Sequence, residues 1–519
     1  MTNRSNTHSV SRRSVLRAGL AAGAGAVVGL TQSPPAGATR RAAVAFVGAT
    51  VIDTSGGPSR PDQTVVVEGD RISRLGGRRD VRVPPAATVV DGTGRFLIPG
   101  LCDMHVHSDI YEGIIPPLYI ANGVTTVREM SGADHLHRWR DQVDAGTLLG
   151  PASIIASPLI DGAPGLWAGL NAVSYIEVTT EAEARAAVRR VVRDGADFVK
   201  VYSRLSPRAY FAVADEARRQ RVPFVGHCPD NVPITRASAA GQRSLEHMWG
   251  TWYSTSGREA ELRRAIADIR IEAGDYNNWF NQIHPVNWLA ANSIDPGKAA
   301  AVFAEFVANG SRQVPTLIAM RAIAMPDEVS RTDARLKYLP AVTAQEWWWA
   351  LDELFAAGRG PTEVAQHREL FDRQLELVDA MRRAGVPMLA GTDSATPGCF
   401  PGFALHDELA LLVRAGLSPL EALQAATLEP ARFLGRQDHE GTIRRGNVAN
   451  LVLLDADPLD DIRNTQRIRA VVVRGRLVSA EDRTRMLLEV EAAARQVPAD
   501  AAATVGCPCM GPARRRDAS

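Results

Sequence analysis

The sequence predicts an α/β protein, a (β/α)8 barrel joined to a small β-sandwich domain that both ends of the mature chain build. From about residue 100 to 435, short apolar runs typical of strands alternate with helical stretches, as in parallel sheets. Short β-type runs separated by turns precede this region and return after it. With 45% hydrophobic and 23% charged residues, the 519-residue chain has the composition of a globular protein with sizeable cores.

The β-sandwich domain is predicted from residues 39–99 together with 436–480, and the barrel from residues 100–435. At the first end, Val44 to Ile52 and Thr64 to Val67 are strand-like runs that end at turn residues. At the other end, the predicted strands are Gly441 to Ile443, Ala449 to Asp455 and Ala470 to Val478. The barrel is therefore expected to interrupt one small β domain.

Residues 481–519 form a separate tail. An amphipathic helix is predicted over 481–497, where Met486, Leu487, Val490 and Ala493 recur at helical spacing. The polar, arginine-ended stretch beyond it, with Cys507 and Cys509, has the composition of a disordered segment. A role for this cysteine pair as a disulfide or a metal site stays open.

Residues 1–38 have the pattern of a twin-arginine signal peptide. Arg12 and Arg13 lie in a stretch without acidic residues, and an apolar run from Ala18 to Leu30 follows. That run is too short to span a bilayer, and Ala36-Gly37-Ala38 offers small residues for cleavage. We therefore expect the twin-arginine export machinery as a partner and a periplasmic or extracellular location.

Charge and cysteine placement exclude two other partners. The formal net charge of +1 gives no electrostatic reason to expect nucleic acid. No cysteine lies near the expected cleavage point, so no lipid-linked, stable membrane anchor is expected. A small-molecule substrate remains as the expected ligand.

The first candidate metal ligands are His105 and His107. They end the run from Phe96 to His107, and alternate residues of a strand point to the same face. Two neighbouring imidazoles at a strand end form half of a metal site. A His-x-His pair alone is a weak signal, and a polar pair on a solvated strand is its ordinary alternative.

Four further polar side chains lie at or near the carboxyl ends of later apolar runs. Lys200, His227, His247 and Asp393 hold these positions. Each alone is compatible with a structural group, but their joint occurrence favours a site. Lys200 is notable because the chain has only three lysines among 59 basic residues.

The intervals between these residues fit a barrel that uses about 31 residues for each β/α unit. His107 and Lys200 are 93 residues apart, which is three units, while the next two intervals, of 27 and 20 residues, are one unit each. From His247 to Asp393 the interval of 146 residues leaves roughly 84 for insertions after two units. The ligands then belong to strands 1, 4, 5, 6 and 8 and meet at the carboxyl-terminal face.

With these motifs in place, the mature chain resembles the amidohydrolase superfamily, most closely its imidazolonepropionase-like and Xaa-Pro dipeptidase-like members. The matching pieces are Pro99 to His107, Val199 to Tyr202, Gly226-His227, Glu246-His247 and Gly391 to Asp393. The stretches from Gly402 to Leu409 and from Gly416 to Leu423 also look like the family.

The resemblance implies a binuclear centre in which Lys200 is an N6-carboxylysine that bridges both ions. One metal ion is then held by His105, His107 and Asp393, the other by His227 and His247. Zinc is expected because the ligands are imidazoles and anionic oxygens, with Mn, Co or Fe as alternatives. Asp393 is the expected catalytic residue, which accepts a proton from the attacking water and passes it to the leaving group.

Substrate-binding residues are less defined. Cys228 follows His227 where the better-known dipeptidase-like members have a His- and Gly-containing stretch, and a small buried residue is expected there. Tyr202, Arg204, Arg128 and His406 are open candidates for a substrate carbonyl or carboxylate. The insertion with Trp279, Phe280, His284 and Trp288, and the run Trp347 to Trp349, are expected to be packed helices.

Three function classes follow from the resemblance. Hydrolysis of a carbon–nitrogen bond, as in dipeptides or N-acyl amino acids, comes first. Hydrolysis of a lactone, ester or phosphotriester on the same site is second. A metal-binding protein without catalysis comes last, because Asp393 is present together with every expected ligand.

Overall fold

The computed structural model describes residues 42–168 and 174–499. The expected signal peptide, Cys507 and Cys509 lie outside the described residues. The strands within them are β1 Val44–Val51, β2 Arg60–Glu68, β3 Arg71–Gly77, β4 Thr88–Asp91, β5 Phe96–Pro99, β6 Leu101–Val106, β7 Val124–Glu129, β8 Ala152–Ile155, β9 Leu159–Asp161, β10 Tyr175–Glu177, β11 Val199–Val201, β12 Phe224–Gly226, β13 Ser244–Glu246, β14 Arg312–Val314, β15 Leu451–Leu454, β16 Ile468–Val473 and β17 Arg476–Val478.

Helices fill most connections between the strands. They are α1 Ile115–Ala121, α2 Asp134–Ala145, α3 Glu181–Arg193, α4 Pro207–Gln220, α5 Ile234–Ala239, α6 Thr251–Thr255, α7 Glu259–Asp268, α8 Tyr276–Ala291, α9 Pro296–Asn309, α10 Leu317–Ala324, α11 Ala341–Trp349, α12 Pro361–Arg383, α13 Phe403–Arg414, α14 Pro419–Ala425, α15 Leu428–Phe433 and α16 Ala480–Gln496. No helix of the described ranges has both the length and the apolar character that a bilayer crossing requires.

One eight-stranded sheet combines strands from both ends of the chain. Its order is β17-β16-β15-β5-β1-β2-β3, with β4 paired to β1. The two ends meet where β15 runs antiparallel to β5, with Leu451 opposite Pro99. Phe46, Leu97 and Val472 are fully buried in the separate hydrophobic core of this sheet. The predicted strand at Gly441 to Ile443 is wrong, because none of these residues belongs to a strand.

The region between those ends holds two parallel sheets. One has the order β6-β7-β8 and the other β10-β9-β11-β12-β13-β14. Isolated parallel bridges join Ala156 to Phe198, Gln313 to Met388 and Val106 to Ser394. The alternation β11-α4-β12-α5-β13 follows the pattern expected for an α/β fold.

Local sequence explains where the surrounding helices begin. Thr180 caps α3 by accepting the backbone N–H of Glu183, and the carboxylate of Glu183 accepts the backbone N–H of Thr180. Ser206 caps α4, and Pro207 takes the first helical position, where no backbone N–H is needed. These signals start α3 and α4 within a few residues of the ends of β10 and β11.

Gly100 connects the two parts of the fold. It separates β5 of the two-ended sheet from β6, the strand that carries the first candidate ligands. A Cβ atom at this position would lie 2.3 Å from Oγ1 of Thr125, so only glycine allows this close approach. The link between the two sheets is therefore short and tightly packed.

The predicted insertion between His247 and Asp393 is divided over two connections. Helices α6 to α9 lie between β13 and β14, and α10 to α12 precede the segment at Met388. Helix α16 confirms the helix predicted over 481–497, and Val490 and Ala494 are its buried residues. Trp347 lies in α11, where it is buried and packs against Phe400, as expected for a packed helix.

Candidate metal centre

The first two candidate ligands lie at the carboxyl end of β6. His105 belongs to the strand and His107 follows it, and their exposed fractions are 0% and 5%. Their ring centroids are 5.4 Å apart. Because residues i and i+2 of an extended chain share a face, both imidazoles project toward the same space.

His227 and His247 occupy equivalent positions after β12 and β13. Both are buried, with ring centroids 4.8 Å apart, and the ring of His247 lies 4.7 Å from that of His105. The parallel arrangement of β12 and β13 explains this, since the carboxyl ends of parallel strands meet at one edge. The four imidazoles thus form one group.

Asp393 completes this group with a carboxylate. Its Oδ1 lies 3.1 Å from Nε2 of His107 and 3.2 Å from Nε2 of His105. Its backbone N–H donates to the carbonyl of His105 at 2.8 Å, and its φ of 54° lies in the left-handed region. This unusual backbone conformation directs the carboxylate toward the imidazoles rather than along the sheet.

Lys200 lies in the middle of β11 and is 1% exposed. Lys200, the four histidines and Asp393 all line one cavity of about 30 Å³. The structure therefore brings together every metal ligand that the sequence predicts. Residues more than 280 positions apart, such as His105 and Asp393, become neighbours there.

Three of the histidines have their Nδ1 atom held by another side chain. Nδ1 of His105 lies 2.8 Å from Oε2 of Glu246, and Nδ1 of His227 lies 2.8 Å from Oγ of Ser203. Nδ1 of His247 lies 2.7 Å from Oγ1 of Thr316. With Nδ1 engaged, Nε2 remains as the ring atom that can bind a metal ion, which is the usual arrangement of metal-binding histidines.

Glu246 and Arg128 form a buried ion pair beside His105. The Nη2 atom of Arg128 donates to both carboxylate oxygens of Glu246 at 3.0 Å. Burial alone would raise the pKa of Glu246, but the guanidinium of Arg128 and the contact with His105 hold it well below its usual range. Glu246 is thus ionised and fixes the ring of His105.

Three of the four imidazoles are held in their neutral form. Burial lowers the pKa of His107 to about 4 and that of His247 to about 3, and it lowers the pKa of His227 as well. Burial raises the pKa of Asp393, but the surrounding histidines outweigh this and hold it well below its ordinary value. Neutral imidazole and ionised carboxylate are the forms that bind metal ions.

These donors fit a divalent metal ion. Ligand atoms of His105, His247 and Asp393 all lie within 4.8 Å of one another. Within the described residues, the buried Nε2 of His105 makes no hydrogen bond, although Asp393 is near. An unsatisfied buried nitrogen that faces a carboxylate is costly in a metal-free protein and is satisfied by metal coordination.

The open substrate candidates have different locations. Tyr202 lines the cavity, and its ring lies 4.0 Å from that of His227. Arg128 is engaged by Glu246, Arg204 by Asp230, and His406 by Thr465. Cys228 is buried, as expected, and its thiol donates to the carbonyl of Val232.

The aromatic wall of the cavity was not assigned from the sequence. Trp167, Trp249 and Tyr276 line it together with the ligands, and Trp249 lies 5.2 Å from His227 by ring centroids. Trp249 follows His247 by two residues, so its position in the sequence was a usable signal. Trp167 and Tyr276 come from distant connections, and no local spacing identifies them.

Part of the chain matches a known protein family. Residues 343–478 match the amidohydrolase family. The first curated relatives are uncharacterized mycobacterial proteins, one of them from Mycobacterium bovis, with 39% identity over 121 residues. That alignment covers 23% of this chain, and the chain spans 31% of the length of these relatives.

Other relatives align over more of the chain. An ochratoxinase of Aspergillus niger is 23% identical over 436 residues, or 72% of this chain and 73% of that protein. An imidazolonepropionase of Pseudomonas putida is 24% identical over 411 residues, covering 75% and 87%.

A solved structure of a Xaa-Pro dipeptidase with bound methionine superposes with a TM-score of 0.61 at 20% identity. The superposition covers 85% of this chain and 100% of the dipeptidase chain. This similarity shows an amidohydrolase-like α/β fold with parallel sheets. The expected resemblance to the amidohydrolase family is confirmed at that level.

Proposed function

We propose that the protein is a metal-dependent amidohydrolase that cleaves a carbon–nitrogen bond of an amide or peptide-like substrate. The observation that carries this proposal is the meeting of six predicted side chains in one cavity, with Nδ1 of three histidines already engaged. Such engagement orients each ring and leaves Nε2 for a metal ion. A structural histidine cluster has no need of this shared orientation.

The proposed centre holds two divalent metal ions, and zinc is the expected metal. His105, His107 and Asp393 would hold one ion, and His227 with His247 the other, with carboxylated Lys200 between them. An ammonium group is costly at a position that is 1% exposed and surrounded by metal ligands. Carboxylation converts that cation into an anionic oxygen ligand, which suits both burial and metal binding.

When bound, divalent ions in such a site lower the pKa of water and polarise a substrate carbonyl. Asp393 supplies the proton transfers: its carboxylate accepts the proton of the attacking water and then donates it to the departing amine nitrogen. Thr396 donates a hydrogen bond to Oδ2 of Asp393 at 3.1 Å and restrains its rotation. An amide requires the second transfer because an unprotonated amine is a poor leaving group.

The parallel sheets support a finer fold proposal. We infer that the parallel strands close into a (β/α)8 barrel over residues 100–435, with the two-ended β domain formed by 39–99 and 436–480. The isolated parallel bridges support closure, because one connects the ends of β8 and β11, and the other two connect β14 and β6 to the segment from Met388 to Ser394. Closure would bring all strand ends to one face, where the candidate ligands meet.

Export through the twin-arginine machinery is also proposed, with cleavage after Ala38. It rests on the arginine pair, the short apolar run and the small residues described above. Because this route carries folded proteins, the metal centre would form in the cytoplasm before export. The location would then be periplasmic or extracellular.

The decisive experiment combines metal analysis with a substrate screen on the purified protein. We expect about two metal equivalents per chain and turnover of dipeptides or N-acyl amino acids that chelation abolishes and zinc restores. Full activity of metal-free protein would overturn the proposal. Turnover of lactones or phosphotriesters without any amide cleavage would assign the same centre to the second function class.

A further inference from the structure

A second cavity adjoins the metal cavity. It has a volume of about 80 Å³ and shares Trp249, Met320 and Ile323 with the metal cavity. The ring centroid of Trp249 lies 5.7 Å from that of His247 on one side and 5.0 Å from that of Trp279 on the other. A molecule bound at the metal centre is therefore one side chain away from this second cavity.

The walls of the second cavity come from the insertion that separates His247 from Asp393. Helix α8 supplies one wall and helix α12 the opposite wall. The apolar side chains that they contribute are Trp279, Phe280, Ile283, Leu370 and Phe371. Trp249 also lies within 6.0 Å of Phe280, so aromatic rings enclose one side.

Several polar groups that border this cavity are engaged by protein partners, whereas the buried Nδ1 of His284 has no hydrogen bond within the described residues. Asp230 accepts hydrogen bonds from Nε1 of Trp279 at 3.0 Å and from Arg204 at 3.3 Å. The hydroxyl of Tyr253 donates to Asn287 at 2.7 Å. Burial lowers the pKa of His284, so its imidazole is neutral at pH 7. The charge of Asp230 is balanced by Arg204, and the rest of the lining is largely apolar apart from His367 and Gln374.

We propose that this cavity binds a branched aliphatic side chain next to the scissile amide and thereby sets the substrate specificity of the enzyme. This inference rests on the proposed amidohydrolase function. The cavity is about half the size of the ~150 Å³ apolar cavity that admits a benzene ring. A leucine-like side chain has fewer carbon atoms than that ring and no polar atom, so it suits a smaller and largely apolar cavity.

The small volume of the cavity predicts that kcat/KM depends on the size of the substrate side chain. Each methylene that enters an apolar pocket changes kcat/KM by roughly 10-fold or more. Dipeptides and N-acetyl amino acids with leucine, alanine, glycine, phenylalanine or glutamate, on either side of the amide, are the test series. We expect the leucine substrate to exceed the glycine substrate by at least about 10-fold in kcat/KM, with phenylalanine and glutamate far below leucine.

Two substitutions on α10 give a matched pair for this test. Ala324 lines the second cavity, whereas Ala322, on the same helix, lines a separate depression that includes Phe400 and Arg414. Ala324→Leu fills the cavity and should reduce the preference for leucine over glycine to less than about 3-fold, while turnover of the glycine substrate is retained. Ala322→Leu adds the same atoms elsewhere and should keep the preference.

A third variant enlarges the cavity. Phe280→Leu removes part of an aromatic wall and should raise kcat/KM for the phenylalanine substrate by about 10-fold relative to leucine. Equal selectivity of the Ala324→Leu and Ala322→Leu variants would overturn the inference. So would a native preference for phenylalanine, glutamate or glycine.

A binding measurement separates this inference from the proposed function. Trp249, Trp252 and Trp279 line the cavity, so tryptophan fluorescence reports on its occupancy. With 3-methyl-1-butanol as the probe, native protein and Ala322→Leu should show the same saturable change, and Ala324→Leu should show none. If no amide is cleaved but this binding pattern is observed, the proposed amidohydrolase function is wrong, whereas the inference that the cavity binds an aliphatic group is supported. If the three proteins respond alike, the pocket is refuted whatever is hydrolysed.

Discussion

Nδ1 of His105 lies 2.8 Å from Oε2 of Glu246, and neither side chain is exposed to solvent. The carboxylate is thus shared between a candidate metal ligand and the buried guanidinium of Arg128. This relationship makes Glu246 a positioning residue for His105, because it fixes the ring through the atom that does not face the cavity.

Glu246→Gln should weaken metal binding by about 10- to 100-fold, because the charge that orients His105 is lost. It should also lower the free energy of unfolding by about 3–5 kcal/mol, since Arg128 is left as an uncompensated buried charge. Competition with a chelator measures the first effect and denaturant unfolding of metal-free protein measures the second.

The double variant Arg128→Met, Glu246→Gln separates these effects. It removes both charges, so stability should largely return while metal binding stays weak. Recovery of both properties together would show that Glu246 acts only through stability.

Asp393→Asn should keep most of the bound metal and lose amide turnover by orders of magnitude. The amide side chain of asparagine cannot accept and return the proton that the leaving amine requires. The loss should be smaller for an activated ester, whose leaving group departs without a proton. Amide hydrolysis near the native rate, with metal retained, would refute the role of Asp393.

Lys200→Ala should lose at least one metal equivalent, measured by elemental analysis of the purified variant. The two other lysines provide controls, because Lys298 and Lys337 form surface ion pairs with Glu259 and Glu491. Such pairs contribute little to stability, so Lys298→Ala and Lys337→Ala should bind metal as the native protein does. Native metal content in Lys200→Ala would remove the lysine from the centre.

Glu408 provides a pH test away from the cavity. Burial raises its pKa to about 8, and its Oε2 accepts the backbone N–H of Ile318 at 2.8 Å. At pH values between the unfolded pKa near 4.5 and the folded pKa of about 8, Glu408 is protonated in the folded protein but ionised in the unfolded chain. The contribution of Glu408 to the free energy of unfolding therefore falls as pH rises through this window and is constant above it.

Glu408→Gln resembles the protonated acid in shape but does not titrate. Its stability relative to the native protein should increase by about 1–4 kcal/mol from pH 5 to pH 8, measured by urea unfolding at several pH values. A stability difference that is independent of pH would contradict the raised pKa.

Replacing Arg12 and Arg13 by lysine should retain the precursor inside the cell, because the export route requires the arginine pair. Cell fractionation followed by immunoblotting measures the distribution. A double variant exported as efficiently as the native precursor would contradict the proposed route.

Much of the site could be predicted because its ligands lie at the ends of recognisable strand-like runs. His105, His227 and His247 follow short apolar segments, and the carboxyl ends of parallel strands meet at one face. The side chains that hold their Nδ1 atoms were not assigned this way. Thr316 lies 69 residues after His247, and its hydroxyl becomes a partner only through tertiary folding.

Some of the strands were less predictable than the ligands. β9 and β10 are three residues each, and such short runs do not stand out by alternation. Gly441 to Ile443 had the composition of a strand but lies in none, and Gly441 has a φ of 81°, in the left-handed region that interrupts a strand. The aromatic walls of both cavities came from insertions, where periodicity indicates a helix but not what it faces.

The pairing of β5 with β15 has a consequence for how the chain folds. Phe96 pairs with Leu454, so the strand leading through Gly100 into the first ligand pair acquires this neighbour only after most of the chain has been synthesised. Contacts between residues so far apart in sequence form late and slowly, because a long loop must close first. During synthesis, the segment with His105 and His107 would thus follow a β5 strand that has not yet paired with β15. A ribosome stalled before residue 451 should display a chain whose β5 is still open to protease, and release of the last strands should protect it.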